Sequence, residues 1–350
     1  MRHSFNPLLG AALALGMLLS LAVPAAAQPF TGTFSLSSTD PGYIAIPNGA
    51  DLNPTSTITL EAWVSVGDTG GGCKSLIGKD YVHAYWVGIC GRTLRSYLRG
   101  SASSFDGGTL PLSQLTHIAV TFDGATRRHY INGELIASRA ETGALTTTTS
   151  ELRIGSDVSY NFVPSASFSE VRLWNVARTQ AQIRSAINVR LTAPQTGLVA
   201  AWGFGAADDL HNHNGTLVGH FSALDLPVTI GCGASTSTSL CLNDRFSVTA
   251  VFRTGAPGTA ETQAQTVPSP GPSSGLFWFT DADTWQLLVN STDGCATTLG
   301  TFGINTATTS NLFYRLTVYD IRAGVQKIYF NYPGPPAPAV LDPAAFATCP

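Results

Sequence analysis

The chain has 350 residues, of which 12% are charged, and its formal net charge at pH 7 is −3. Binding to nucleic acid requires a basic surface, so this composition excludes nucleic acid as a partner. A chain of this length is long enough for two domains, each with a hydrophobic core of its own.

Residues 1–27 have the pattern of a secretory signal peptide. Arg2 precedes an apolar run over residues 8–23, and Ala25-Ala26-Ala27 supplies the small residues of a cleavage site. We therefore expect a mature chain that begins at Gln28 and is secreted, in an extracellular or periplasmic location. No later apolar stretch approaches the ~20 residues that span a bilayer, so we expect no membrane span in the mature chain.

Alternating apolar residues predict strands in the first third of the chain. Over residues 57–66 every second residue is apolar, which leaves Glu61 and Trp63 on the opposite face. Farther along, Cys73 and Cys90 bracket a predicted hairpin over residues 74–89.

Residues 116–138 give the clearest signal of secondary structure. Apolar residues alternate up to Phe122, and Asp123-Gly124 then ends the predicted strand. Asn132-Gly133 follows between two further alternating segments, and this pair tolerates the positive φ angles of a two-residue hairpin turn. The segment is predicted to be a three-strand antiparallel meander.

A further strand is predicted over residues 168–174. In it, Glu170, Arg172 and Trp174 share one face because side chains alternate along a strand. Residues 179–188 are the best candidate for a helix, of about three turns.

Several of these segments resemble laminin-G-like, concanavalin A-type jelly-roll domains. The meander HIAVTFDG…YINGE is similar to the central strands of that family, and the other segments follow in the family's order over about residues 30–224. In chain order they are GYIAIP, DLN, ITLEAWV, ELRIG, FSEVRLWN, ARTQAQI and GLVAAWGF.

The resemblance implies an all-β fold, with an antiparallel concanavalin A-like jelly-roll sandwich over residues 28–224. It also implies a glycan or an extracellular or surface protein as the partner. A structural Ca²⁺ is a further possibility of this family, for which Asp123, Asp157 and Asp209 are the candidate ligands in this sequence.

A second, smaller antiparallel β-sandwich is predicted over residues 241–350, after a Gly/Ser/Thr-rich linker over 225–240. Residues 245–253 alternate strongly, and five more candidate strands follow a Pro/Gly/Ser-rich loop over 254–274. The segments CLNDRFSV, GLFWF, DGC and AFATC are similar to a C-terminal module of bacterial secreted proteins, which implies a domain boundary and a bacterial source but no activity.

Six cysteines in an exported chain indicate disulfides. We expect the pairs Cys73–Cys90, Cys232–Cys241 and Cys295–Cys349, although the last four cysteines allow three connectivities. A zinc site is disfavoured because the C-x-x-C spacing is missing.

The sequence gives little support for catalysis. Some jelly-roll glycoside hydrolases carry a second carboxylate two residues after a glutamate, but none of the six glutamates of this chain has one. Asp281 and Asp283 have that spacing and are better explained by a turn, and we likewise favour a turn over a metal site for His211 and His213. Nucleophile and metal-hydrolase motifs are missing as well.

We therefore expect a non-enzymatic binding or adhesion protein, with a glycoside hydrolase on the same fold as the alternative. Glu61, Trp63, Arg172 and Trp174 are the predicted ligand-binding residues, because sugar rings stack on aromatic rings beside charged groups. In the alternative interpretation, the two tryptophans pack in the protein and Glu61 and Arg172 form a buried ion pair.

Overall fold

A computed structural model describes residues 34–349, except 40, 68, 160–162, 190, 192, 204–210, 221, 224–230, 268–270 and 336–337. The predicted signal peptide and Asp209 lie outside the described residues. Within them the chain is nearly all β, with a single short α-helix. This helix is far too short to cross a bilayer, and the described residues contain no other candidate.

The first half of the chain forms two antiparallel sheets. Its elements are β1 (Phe34–Leu36), β2 (Gly42–Ile46), β3 (Ile58–Val66), β4 (Cys73–Lys79), β5 (Tyr85–Cys90), β6 (Thr93–Tyr97), a 3₁₀ turn (Ser101–Ser103), β7 (Phe105–Thr109), β8 (Thr116–Phe122), β9 (Thr126–Ile131), β10 (Glu134–Ala140), β11 (Leu152–Ile154), β12 (Ala166–Trp174), α1 (Gln180–Ala186), β13 (Leu198–Gly203), β14 (Thr216–Gly219) and β15 (Ser222–Ala223).

Sheet 1 has the strand order β10-β9-β8-β3-β12-β1-β15, with β13 also paired to β12. Sheet 2 has the order β14-β2-β11-β4-β5-β6-β7. The two sheets enclose one large apolar cluster, to which β3 contributes Ile58, Leu60 and Val64. Sheets 1 and 2 thus form the N-terminal sandwich.

The second half of the chain forms two smaller antiparallel sheets. Its strands are β16 (Ser239–Leu242), β17 (Phe246–Arg253), β18 (Thr262–Gln263), β19 (Gln265–Val267), β20 (Ser274–Trp278), β21 (Leu287–Asp293), β22 (Phe302–Thr308), β23 (Phe313–Asp320), β24 (Val325–Asn331) and β25 (Val340–Phe346). Sheet 3 is β16-β17-β23-β24 with β18 at β17, and sheet 4 is β19-β20-β21-β22-β25. They enclose a second apolar cluster that includes Phe246, Phe277 and Phe346.

The outer face of sheet 1 packs against the outer face of sheet 3. A third apolar cluster joins them, consisting of Trp63 and Leu115 from the N-terminal sandwich, Ile187 after α1, and Ile328 and Phe330 from β24. The four sheets therefore stack in the order 2, 1, 3, 4. Sheet 3 covers the part of sheet 1 around Trp63, whereas the outer face of sheet 2 points away from the C-terminal sandwich.

Most predicted elements are present. The meander corresponds to β8, β9 and β10, and the Asn132-Gly133 turn has the expected positive φ angles of 50° and 73°. The predicted helix is a shorter α1, which begins with a capping box between Thr179 and Gln182. The loop predicted over 254–274 contains β18 and β19, which are too short to show a periodic pattern.

The three expected disulfides are all formed. They join Cys73 to Cys90, Cys232 to Cys241 and Cys295 to Cys349. The first links facing residues of β4 and β5, as expected for a bridge across a hairpin.

Candidate functional site

The predicted ligand-binding residues lie together on the outer face of sheet 1. Arg172 faces Glu61 across β12 and β3, and Trp63 and Trp174 lie on the same two strands. Arg172 donates to Glu170 at 2.6 Å and lies 3.5 Å from Glu61. Strand alternation therefore predicted this grouping correctly.

This cluster is closed to solvent. Glu61 and Trp63 are 1% exposed, and Arg172 and Trp174 are 2% exposed. Trp63 donates through Nε1 to the carbonyl oxygen of Ile187 at 2.8 Å, and its ring stacks on Phe330 at 6.2 Å between centroids. A buried ring has no face on which a sugar can stack. The prediction that these four residues bind a ligand is therefore wrong.

The segment that follows β12 covers the rest of the cluster. Arg172 donates to the carbonyl oxygens of Ala186 and Val189, at 3.0 and 2.6 Å. Arg178 donates to Glu61 at 2.7 Å and lies over the ring of Trp174, 4.2 Å from its centroid. The outer face of sheet 1 thus packs against α1, the residues that follow it, and sheet 3. This is the alternative interpretation of the sequence, in which the two tryptophans pack within the protein.

The acid in this cluster is held ionised. Burial alone raises the pKa of Glu61, but the hydrogen bond with His117 and the charges of Arg172 and Arg178 outweigh that effect and lower the pKa to about 2. The general acid of a glycoside hydrolase needs a raised pKa instead. Glu61 therefore has the properties of a structural ion-pair partner.

This ion pair predicts a loss of stability in acid. Because the pKa of Glu61 falls from 4.5 to about 2 on folding, the carboxylate stabilises the fold by on the order of 3 kcal/mol above pH ~4.5. That contribution is lost as the pH falls from ~4.5 towards 2. Urea unfolding at several pH values measures it, with Glu61→Gln as the control that lacks this pH dependence. Parallel curves for the two proteins over this range would contradict the prediction.

The candidate calcium ligands serve as acceptors within the protein. Asp123 accepts the N–H groups of Ala125 and Thr126 and pairs with Arg128, so it closes the β8–β9 turn. Asp157 accepts the N–H groups of Tyr81 and Ser159. A Ca²⁺ site would need six to eight converging oxygens, so calcium at these two carboxylates stays a prediction.

The other residues considered as metal ligands have structural roles. His213 pairs with Asp51 at 3.0 Å, and its carbonyl oxygen accepts from Trp202. Asp281 accepts the N–H of Asp283, as expected for the predicted turn. Among the described residues, the one group with three possible ligand atoms contains Cys232 and Cys241, whose sulfurs form a disulfide.

An aromatic group lies on the outer face of sheet 2. Along β5, Tyr85, Val87 and Ile89 enter the core, so Trp86 points outward. Its ring lies over Gly88, where an added Cβ would come within 2.3 Å of the ring, and its Nε1 donates to Ser75 at 2.8 Å. The absence of a side chain at Gly88 allows the indole to lie flat on the sheet.

Two tyrosines complete this aromatic group, which consists of Tyr81, Trp86 and Tyr97. The Tyr81 and Tyr97 rings meet edge to face at 4.8 Å, and the same arrangement joins Trp86 to Tyr97 at 5.4 Å and to Tyr81 at 6.2 Å. Trp86 and Tyr97 are buried, whereas Tyr81 is partly exposed. Two buried rings therefore hold a third at the surface.

Residues 38–184 match a family model described as the concanavalin A-like lectin/glucanases superfamily. This segment forms a concanavalin A-like domain. It includes β2 to β12 and therefore the whole aromatic group. No curated protein matches the chain in sequence.

Three solved structures resemble the chain at a low level. A candidate carbohydrate-binding protein from Bacteroides ovatus is 21% identical, with a TM-score of 0.48, and the match spans 57% of this chain and 62% of that protein. Domain 4 of AbnA, a GH43 extracellular arabinanase from Geobacillus stearothermophilus, solved with arabinotriose, is 18% identical over 45% of this chain and 98% of that domain, with a TM-score of 0.32. The binding domain of Paraclostridial Mosquitocidal Protein 1 is 10% identical over 85% of this chain and 82% of that one, with a TM-score of 0.41.

Two partly exposed ion pairs accompany the aromatic group on this face of the concanavalin A-like domain. Arg95, two residues before Tyr97 on β6, makes two hydrogen bonds with Asp106, at 2.5 and 2.6 Å. Farther across the sheet, Arg153 pairs with Glu151 at 2.7 Å and lies over the ring of Tyr43. The face therefore presents aromatic and charged groups to solvent together.

The acids on this face also have ion-pair or hydrogen-bond partners within the protein. The hydrogen bond from Arg95 is the main cause that lowers the pKa of Asp106. Glu151 is paired with Arg153, and Asp157 accepts backbone N–H groups. Paired carboxylates of this kind suit hydrogen bonding to a ligand better than proton transfer to one.

Proposed function

We propose that this chain is a non-enzymatic binding protein whose concanavalin A-like domain binds carbohydrate on the outer face of sheet 2. The observation that supports this most strongly is the partly exposed ring of Tyr81, held in place by Trp86 and Tyr97 and accompanied by the Arg95–Asp106 pair. Aromatic rings stack on the C–H faces of sugars, and charged groups bond to their hydroxyls.

The state of the acids favours binding over cleavage. Hydrolysis of a glycosidic bond needs one carboxylic acid with a raised pKa and a second carboxylate roughly 5 to 9 Å away. On this face the pKa of Asp106 is lowered instead, and Glu151 forms an ion pair with Arg153. The alternative function is a glycoside hydrolase on the same fold, and the experiment below distinguishes it from a binding protein.

We also infer that the protein is secreted. Three disulfides indicate an oxidising compartment, in agreement with the signal peptide expected at residues 1–27. An extracellular or periplasmic location would give the binding face access to polysaccharides or to glycans on a surface.

Tyr81→Ala tests the proposed face. We expect it to weaken glycan binding about tenfold or more, because the aromatic contact and its buried area together exceed ~1.4 kcal/mol. Titration calorimetry against a panel of soluble polysaccharides provides the measurement. Val82→Ala, at an exposed neighbour in the same loop, is the matched control and should bind as the wild type does.

Two outcomes would contradict the proposal. Equal affinities for wild type and Tyr81→Ala would remove this face as the binding site. New reducing ends after incubation of the wild type with any member of the panel would replace the binding role with a hydrolase.

A further inference from the structure

A polar groove separates one edge of sheet 1 from the outer face of sheet 3. Its volume is about 580 Å³, within the usual range of ~300–1,000 Å³ for small-molecule sites. The groove lies outside the face on sheet 2, and both sandwiches contribute to its walls.

One wall is a row of three serines. Ser35, Ser167 and Ser65 face one another across the neighbouring strands β1, β12 and β3, and the first two are joined by a hydrogen bond of 2.8 Å. The row continues the face that carries Trp63, at the end that sheet 3 leaves uncovered. Each hydroxyl is both a donor and an acceptor, as sugar hydroxyls are.

The opposite wall belongs to sheet 3. Thr249 faces Thr317 across β17 and β23, and Val251 faces Arg315 on the same two strands. Gln263 on β18 also lines the groove. Hydroxyl, amide and guanidinium groups of the C-terminal sandwich therefore lie opposite the serine row.

Arg315 offers a hydrogen-bond donor for a ligand in this groove. The residue is 6% exposed, and its Nη2 donates to Glu261 at 3.0 Å. Its Nε is buried and has no hydrogen-bond partner among the residues that the structure describes. A buried charged donor without a partner is costly, and a small shift of this side chain at the wall of the groove would let a bound ligand supply the missing acceptor.

The charges and apolar groups narrow the class of ligand. Glu261 balances the charge of Arg315, so the groove favours a neutral acceptor over an anion. Leu112, Leu115 and Val251 interrupt the polar lining and offer contacts to the C–H groups of a sugar ring. We propose that this groove binds a neutral oligosaccharide, as a second site that requires both sandwiches.

A second cavity adjoins the groove. Gln114 lines both the groove and this cavity, which has a volume of about 350 Å³. That cavity contains the buried pair of Arg253 and Glu134, which joins sheet 3 to β10 through two bonds of 2.6 Å. An oligosaccharide in the groove would thus follow the junction between the sandwiches.

Arg315→Lys tests this site in a Tyr81→Ala background, where binding at the face on sheet 2 is expected to be weakened about tenfold or more. Lysine keeps the charge beside Glu261 but removes the planar Nε donor. Calorimetry with neutral xylo-, arabino- and gluco-oligosaccharides, and with oligogalacturonate as the charged comparison, should show binding to Tyr81→Ala that falls about tenfold or more on adding Arg315→Lys.

Further variants test whether a loss of binding in Arg315→Lys comes from the groove itself and not from misfolding. Thr249→Val with Thr317→Val removes two groove hydroxyls without changing volume and should also weaken binding. Thr292→Val, at an exposed position on sheet 4, should leave it unchanged. Circular dichroism and urea unfolding confirm that each variant is folded.

Each outcome decides between the sites. Loss of all binding in Tyr81→Ala alone overturns the groove and leaves the face on sheet 2 as the site. Binding that is indifferent to Tyr81→Ala but lost with Arg315→Lys supports the groove and overturns the proposed face. Binding of oligogalacturonate alone, or equal affinities with and without Arg315→Lys, overturns the neutral-sugar site.

Discussion

Replacement of Trp63 by alanine is expected to lower the free energy of unfolding by about 3–5 kcal/mol. The indole fills the junction between the sandwiches, where it stacks on Phe330 and donates to the carbonyl oxygen of Ile187. Its removal leaves a cavity in the cluster that joins sheet 1 to sheet 3. Urea unfolding followed by circular dichroism measures the change.

Trp285→Ala is the matched control for this variant. Trp285 is 43% exposed in the loop before β21, so its replacement should change the free energy of unfolding by less than ~1 kcal/mol. If Trp63→Ala retained full stability and abolished glycan binding, the outer face of sheet 1 would be the ligand site after all.

Arg172→Leu should cost a similar ~3–5 kcal/mol, because it leaves buried Glu170 without its arginine. The carbonyl oxygen of Val189 also loses its bond from Arg172, and that of Ala186 keeps only the N–H of Val189, so the segment after α1 should detach first. Urea unfolding gives the stability, and hydrogen exchange should show faster exchange over residues 180–189.

An exposed arginine gives the comparison for this second variant. Arg128 pairs with Asp123 at the surface, and Arg128→Leu should cost less than ~1 kcal/mol. Equal losses for Arg128→Leu and Arg172→Leu would mean that the buried network contributes no more than a surface pair, which would contradict its role in holding the α1 segment on sheet 1.

Local patterns predicted several strands of the N-terminal sandwich, including β3, β8, β9, β10 and β12. The Asn132-Gly133 turn fixed one hairpin, and alternation in β3 and β12 placed Trp63 and Arg172 on one face. Both features depend on residues near in sequence or on the two-residue period of a strand, so they can be found without knowledge of the tertiary structure.

What packs on the outer face of sheet 1 depends on contacts between residues that are distant in sequence. Phe330, which covers Trp63, lies on β24 in the other half of the chain. One signal did exist in β23, where Phe313 and Tyr314 place apolar rings on both faces, as expected for a strand buried on both sides. A strand that is apolar on both faces indicates that each face packs against another layer of the protein.

The aromatic group on sheet 2 was missed for a different reason. The hairpin that contains Trp86 is predicted from Cys73 and Cys90, and a disulfide spacing does not show which face each side chain takes. Trp86 occurs between core residues, and Gly88, two positions later on the same face, leaves room for the ring on the strand. Tyr97 comes from the next strand, and only the sheet order shows that the two meet.

Oxidative footprinting tests most directly whether glycan binds on sheet 2, since it reports which aromatic rings solvent and ligand can reach. The full chain is exposed to hydroxyl radicals with and without a bound glycan, and oxidation is measured at each peptide by mass spectrometry. We predict that Tyr81 is oxidised in the free protein and protected by the glycan, while Trp63 stays unmodified in both samples. Oxidation of Trp63 in the free protein, with protection by the glycan, would contradict this prediction.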